Sequence, residues 1–405
     1  REIPDGRGLP VWQSGEHTTF RQEGGQPPAY YFVSAAHTFW VDDSDFSQRF
    51  IYNPFARVGV PGTTSNVNMM AHSHAERFPW TGTTLAVRLV RWMSIVMGAV
   101  TVLLTYLVAS ALFPHNGPLA LLAAAFTAFN PMFLFISASV NNDNGVWLLS
   151  SLVIWVVALV ALKDTGSKSI ARSSFLAALL SHSRIPWTLG ILLSLATLTK
   201  LSGLVLAPVV YVLLGWRAWL RRSGLVLVSS TVIVTGILAI ITGWWFWRNH
   251  MLYGDLLATQ MMIAPGVVRE GTASVADLVR EAPGWWFSLW GVFGAYNILP
   301  ADWTYAFYTV LALTAFVGVM AWALRARNVA SLRFTTPQFF ALIFVCLTLA
   351  GAVHWTRGMY ASQGRLVLGA IAPISSFIAA GILGLVSRRW KAPVSKLCSA
   401  GLFVV

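Results

Sequence analysis

Long apolar runs, broken at short polar joints, set the pattern of this chain. The runs lie near residues 86–113, 118–137, 145–162, 186–200, 201–215, 223–247, 303–323, 337–354 and 366–386. A helix needs about 20 apolar residues to cross a bilayer. Each run is therefore read as a membrane helix, and the fourth and fifth are short enough to be re-entrant or buried. About 85 residues precede the first span. They hold turn clusters and one apolar stretch, AYYFVSAAHTFW, too short to cross; its aromatics suit a helix lying in the interface. The pattern predicts an all-α polytopic membrane protein with about nine visible transmembrane helices, extracytoplasmic loops and interfacial helices. Its order is a loop over 1–85, a membrane block over 86–247, a loop with amphipathic segments over 248–302 and a second membrane block over 303–405.

Composition agrees. Charged residues make up 11% of the chain, and a soluble domain carries about 25%. The 19 Trp suit membrane interfaces. The net charge of +13 would suggest nucleic acid in a soluble protein. Here it is better read as loop anchoring, because Lys and Arg concentrate in cytoplasmic joints. Lys163, Lys168, Arg172 and Arg184 share one joint, and Arg217, Arg221 and Arg222 a second. Arg325, Arg327 and Arg333 form a third, and Arg388, Arg389, Lys391 and Lys396 a fourth. With nine spans all four fall on one face. The opposite, extracytoplasmic face then carries the first 85 residues, the segments Arg248–Asp302 and His354–Arg365, and Lys200. An N-terminal segment on that face implies a further span before Arg1. Two cysteines, Cys346 and Cys398, build neither a disulfide framework nor a metal pattern.

The polar exceptions gather on the predicted outer face. In FISASVNNDNGVWLL, the run Asn141, Asn142, Asp143 is either an interhelical turn or a carboxylate held at the membrane surface as a base. Lys200, in LATLTKLSGLVLAP, either snorkels or contacts a phosphate. WWFWRNHMLYGD carries Arg248, His250, Tyr253 and Asp255; it is an interface belt or a grip on lipid phosphate. HWTRGMYASQGRLVL carries Arg357, Tyr360, Gln363 and Arg365, and its cations are not explained by cytoplasmic anchoring. RQEGGQPPAYYF presents Tyr30 and Tyr31, as an anchor or as a stacking surface for sugar or lipid headgroup. His72 and His74 lack a further ligand at diagnostic spacing, so no divalent metal is predicted. No nucleotide-binding or zinc-protease motif stands at a suitable place. One outer pocket holding a carboxylate, cations and aromatics would suit a polyprenyl-phosphate sugar: cations for the leaving phosphate, a carboxylate for the acceptor.

Several of these blocks resemble GT-C class membrane glycosyltransferases, in particular the protein-mannosyltransferase-like and aminoarabinose-transferase-like branch and its bacterial members. QPPAYYF is similar to their segment following the first outer loop, and NPMFLFISASVNND to their N-P…S…D element. TKLSGLVLAP, WWFWRNHMLYGD and SQGRLVLGAIAPI are similar to later blocks. The resemblance implies a GT-C-like bundle in a bacterial cytoplasmic membrane, transferring a sugar from polyprenyl phosphate to an extracytoplasmic protein, lipid or glycan. No cofactor is required; the partners are membrane lipids, the lipid-linked donor and other membrane proteins. It implies Asp143 as the second acid, with Asn141 and Asn142 orienting it. Lys200, Arg248 and Arg365 would be phosphate-side contacts, and Tyr30 and Tyr31 would line the sugar or acceptor path, with Tyr253 and Gln363 also in the substrate site. The family's principal acid, an Asp after a first span, has no counterpart in the residues present; the resemblance places it upstream of Arg1. A non-catalytic membrane subunit is the alternative that such a gap leaves open. A secondary transporter is a second alternative, and it lacks the expected mid-span charges.

Overall fold

The computed structural model describes residues 25–56, 59, 68–166, 181–259, 268–325 and 335–404. The described residues are mainly helical, with isolated bridges instead of strands. The helices are α1 (Ala29–Thr38), α2 (Phe46–Arg49), α3 (Gly82–Leu112), α4 (Gly117–Ala128), α5 (Pro131–Ser137), α6 (Asp143–Asp164) and α7 (Ile185–Thr199). They continue with α8 (Leu206–Leu220), α9 (Gly224–Tyr253), α10 (Val275–Trp290), α11 (Asp302–Arg325), α12 (Thr336–Gly358), α13 (Ile371–Gly384) and α14 (Lys391–Val404).

Every predicted span is helical, but the count of nine is only approximate. Among the described residues, seven helices are long and apolar enough to cross a membrane, or eight if α4 and α5, bent by 61°, form one span. Pro131 lacks the N–H that would continue α4, and Asn130 accepts from Phe133 N at 2.8 Å, starting α5 afresh. The remaining helix, α7, has 15 residues. At 1.5 Å per residue it is about 22 Å long, shorter than the hydrocarbon core. The chain is an integral membrane protein. On α9, Leu225, Val232, Ile240 and Trp247 recur at helical spacing and are all exposed, a stripe suited to lipid.

The chain divides into two compact units. The first takes the described residues of Arg1–Phe32, Gly145–Val279 and Phe334–Ala361; the second takes those of Val33–Asn144, Arg280–Arg333 and Ser362–Val405.

In the first unit α7 packs on α9, where a side chain added at Gly190 would come within 3.0 Å of Ile237. α7 ends at an extended Lys200, and a 3-10 turn, Leu201–Val205, leads into α8. Gly203 makes that break possible, because a side chain there would strike the Ala196 backbone. At one end of the unit, Gly145 of α6 meets Thr199 of α7 and the ring of Tyr30. At the other end, buried Arg217 of α8 donates to Asp164 of α6 at 2.7 Å. Arg221 reaches His182, just ahead of α7, at 2.6 Å. α6, α7 and α8 therefore alternate in direction. Lys200 lies at the Gly145 end, and the basic joints lie at the Asp164 end.

In the second unit, Thr127 of α4 bonds Thr105 of α3 at 3.2 Å and Ser375 of α13 at 3.0 Å, a hydroxyl chain that satisfies three buried polar groups. α11 and α13 approach at Gly318 and Gly381, where an added side chain would strike backbone carbonyls. Tyr308 stacks on Trp290 at 4.3 Å and donates to the Phe129 carbonyl. Asp45 closes the front of α3, accepting from Thr83 N at 2.8 Å and Thr83 Oγ1 at 2.7 Å while paired with Arg49 at 3.0 Å. These bonds hold its carboxyl at about 2, well below the ordinary 3.8.

Candidate functional site

The Asn/Asp run is not a solvated turn. Asn142, Asp143 and Asn144 are all buried. Asn141 Oδ1 accepts from Asp143 N at 2.8 Å and starts α6. Asn144 Nδ2 donates to the Ile136 carbonyl at 3.0 Å and the Ser139 carbonyl at 3.1 Å, tying the new helix to the end of α5. The run thus forms a hydrogen-bonded corner of buried side chains. It leaves the Asp143 carboxylate at a helix N-terminus, where the helix dipole favours negative charge.

Two of the expected site residues, Gln363 and Arg365, meet in the second unit beside Tyr296, which sequence reasoning missed, and the Asp143 charge acts on the same phenol. The Arg365 guanidinium lies over the Tyr296 ring, 5.7 Å from its centroid. Arg365 Nε also donates to Gln363 Oε1 at 2.8 Å, which fixes its direction. Burial pushes the Tyr296 phenol up; the Arg365 charge opposes that rise and the Asp143 charge adds to it. Asp143, Arg365 and Tyr296 therefore share one electrostatic neighbourhood. Tyr296 Oη is buried and has no hydrogen-bond partner among the described residues.

The loop under Tyr296 is built to hold it. Phe293 and Ile298 form a bridge, Gly294 has φ +62° and Tyr296 itself has φ +61°, a left-handed conformation rare for an aromatic residue. Buried Asn297 accepts from Ala295 N at 3.1 Å and closes the turn. The Ala295 carbonyl accepts from Gly59 N at 2.8 Å, so the N-terminal segment braces the same loop. Strain kept in this way points to function. The signal in the sequence was WGVFGAYNILP, a Gly- and Asn-containing turn in an outer segment, but its fold depends on a backbone conformation that spacing does not show.

Gln363 and Arg365 are placed by α10. Gly364 N donates to Ser288 Oγ at 2.7 Å, and a side chain at Gly364 would strike Trp285 and Leu289. Ser362 Oγ bonds Glu281, about two turns earlier on α10. Asn130 Nδ2 reaches the Leu289 carbonyl at 3.3 Å, so the corner that starts α5 is joined to the end of α10.

The first unit holds the other expected residues. Tyr30 is buried and stands edge-on to Tyr31 at 5.5 Å. Lys200 caps the end of α7, its carbonyl accepting from Gly203 N at 2.9 Å. Arg248 lies over the Trp245 ring at 4.9 Å. Tyr253 ends α9, which stops at left-handed Gly254. Asp255 forms the turn that follows. Burial would raise its pKa, but bonds from Leu257 N, Thr259 N and Thr259 Oγ1 lower it. Arg269 was not expected. Its Nε donates to the Thr356 carbonyl at 2.9 Å and the Met359 carbonyl at 3.1 Å, capping α12 while the guanidinium covers Tyr360 at 4.3 Å. His72 pairs with Glu76 at 2.8 Å, away from any metal-like set; no group of three or more potential metal ligands occurs among the described residues.

No protein-family model matches the chain, and no curated protein matches it. Among solved structures it is similar to ArnT from Cupriavidus metallidurans in the apo state, at 12% identity and a TM-score of 0.49, covering 90% of this chain and 50% of that one. It is also similar to that ArnT bound to undecaprenyl phosphate, at 15% identity and a TM-score of 0.48, covering 90% and 51%. A third is the AglB oligosaccharyltransferase from Archaeoglobus fulgidus in complex with an inhibitory peptide and a dolichol-phosphate, at 15% identity and a TM-score of 0.43, covering 97% and 54%. Both proteins are GT-C glycosyltransferases. The chain spans about half the length of these solved structures.

Proposed function

We propose that this protein takes part in transferring a sugar from a polyprenyl-phosphate donor to an acceptor on the extracytoplasmic side of a bacterial cytoplasmic membrane. The observation that carries the reading is the convergence of Asp143, Arg365 and Tyr296 in one electrostatic neighbourhood, with Arg365 aimed by Gln363. Arg365 suits a phosphate oxygen, since guanidinium matches its geometry and stays charged. Asp143 takes the proton of the acceptor as the bond from acceptor to anomeric carbon forms. The bond from that carbon to the phosphate oxygen breaks, and Arg365 meets the charge left on the polyprenyl phosphate. In the first unit, Lys200, Arg248 and Tyr253 are read as lipid- and phosphate-side contacts, and Tyr30 and Tyr31 as aromatic lining.

The test is single-turnover transfer by the full-length protein in lipid vesicles, using radiolabelled polyprenyl-phosphate sugars and membrane acceptors. Asp143→Asn should lower turnover by roughly 10²-fold or more, the scale of general-base catalysis, while donor binding is kept. Arg365→Ala should weaken donor binding. Unchanged turnover in Asp143→Asn removes Asp143 from the chemistry. Donor binding with no turnover in the unaltered protein would leave the non-catalytic subunit.

A further inference from the structure

The turn between α8 and α9 lies at the far end of the first unit from Lys200, and nothing in the transfer reading uses it. α8 closes with Arg221 N donating to the Arg217 carbonyl at 3.1 Å and Ser223 N to the Ala218 carbonyl at 3.1 Å. This closure needs a left-handed residue after the helix, a place usually given to Gly. Here it is Arg222, at φ +49°. A glycine is two positions away, at Gly224, yet the strained position carries a long cation.

That cation faces a built space. A cavity of about 610 Å³ opens at the turn, lined by residues that include Trp219, Leu220, Arg222, Ser223 and Leu227. Gly215 and Gly224 also line it and leave open space beside their backbones. Of the three arginines in the joint, Arg217 pairs with Asp164 at 2.7 Å, and Arg221 lies 3.8 Å from the same carboxylate and bonds His182. Among the described residues Arg222 has no ion-pair partner. The cavity wall thus joins one uncompensated cation to an indole and two leucine side chains. It sits where two membrane-spanning helices end, Leu201–Leu220 and Gly224–Tyr253. The N-terminus of the 30-residue α9 adds partial positive charge on the same wall.

We propose that this turn binds one anionic phospholipid. Its phosphate would pair with Arg222, and its upper acyl chain would lie along Trp219, Leu220 and Leu227. A soluble anion would leave the apolar wall unused, and a neutral lipid would leave the cation unpaired. The site is independent of the sugar-transfer reading.

Native mass spectrometry of the full-length protein, with phosphatidylglycerol or phosphatidylcholine added, tests it. The ratio of phosphatidylglycerol to phosphatidylcholine adducts should fall about five-fold in Arg222→Gly, the loss typical of one cation near an anionic surface. Arg222→Gly relieves the left-handed strain, so its melting temperature without lipid should equal or exceed that of the unaltered protein. Arg222→Asn, which also tolerates that backbone, should give the same loss. Trp219→Ala should weaken both lipids. An unchanged ratio in both Arg222 variants overturns the proposal. Displacement of phosphatidylglycerol by millimolar inorganic phosphate would mark a soluble-anion site and overturn it equally.

Discussion

Tyr296 is the residue on which chemistry and stability make opposite demands. A buried hydroxyl with no partner costs about 1–3 kcal/mol, and its backbone is held at φ +61°. Tyr296→Phe removes only that hydroxyl. The melting temperature should stay level or rise, while sugar transfer should fall at least about ten-fold if the hydroxyl meets substrate. Thermal denaturation and transfer rate, measured on one preparation, separate the two effects. Loss of both together would make Tyr296 a structural residue. Asp45 behaves the other way. Its folded pKa of about 2 lies below the ordinary 3.8, so its contribution to stability is complete above pH 3.8 and is lost as pH falls toward 2. The gap in melting temperature between the unaltered protein and Asp45→Ala should therefore narrow over that window; a gap constant with pH would rule out the charge as its source. At this scale the sequence was half legible. The run Asn141–Asp143 stood out because Asn and Asp are poor helix-interior residues. Tyr296 and Arg269 did not stand out, because their roles depend on loop backbone and on contacts from residues far along the chain.

Among the elements, helix positions were the most legible, since each needs only a long apolar run. What the runs did not show is how the ends are tied. Arg217 reads as one more cytoplasmic anchor, yet it is buried and paired with Asp164. Breaking such a pair strands a charge, at a cost of about 3–5 kcal/mol. Arg217→Leu should therefore lower the melting temperature strongly, and adding Asp164→Leu should restore most of the loss. If the double variant is no better than the single one, the pair is not what joins α6 to α8. His182 belongs to the same cluster. Burial first, then Arg221, Arg217 and Lys163, lower its pKa, with Asp164 opposing them. The unfolded chain therefore takes up the proton first, and this end of the unit should lose stability as pH falls below about 6.5.

At the scale of the membrane, α7 sets which joints share a side and the basic residues propose which side that is. The contacts of Asp164, His182 and Arg221 put the end of α6, the start of α7 and the end of α8 together. The contact of Gly145 with Thr199 puts the opposite ends together. α7 therefore runs the full way between two joints with only 15 residues, and the bilayer must thin or the neighbouring turns must dip to meet it. The alternation of basic and non-basic joints in the sequence demands the same crossing. Lys and Arg concentrate on the cytoplasmic side, so the proposed sidedness puts the Arg221 end in the cytoplasm and the Lys200 end outside. Single cysteines in a background lacking Cys346 and Cys398 test this in sealed cells. A cysteine at position 222 should react with a membrane-impermeant maleimide only after the membrane is opened, and one at position 257 should react from outside. Outside labelling at 222 would invert the first unit. It would also place the Lys200 end of the first unit, with the phosphate-side contact proposed there, on the cytoplasmic face, so this measurement bears on the proposed chemistry before any donor is found.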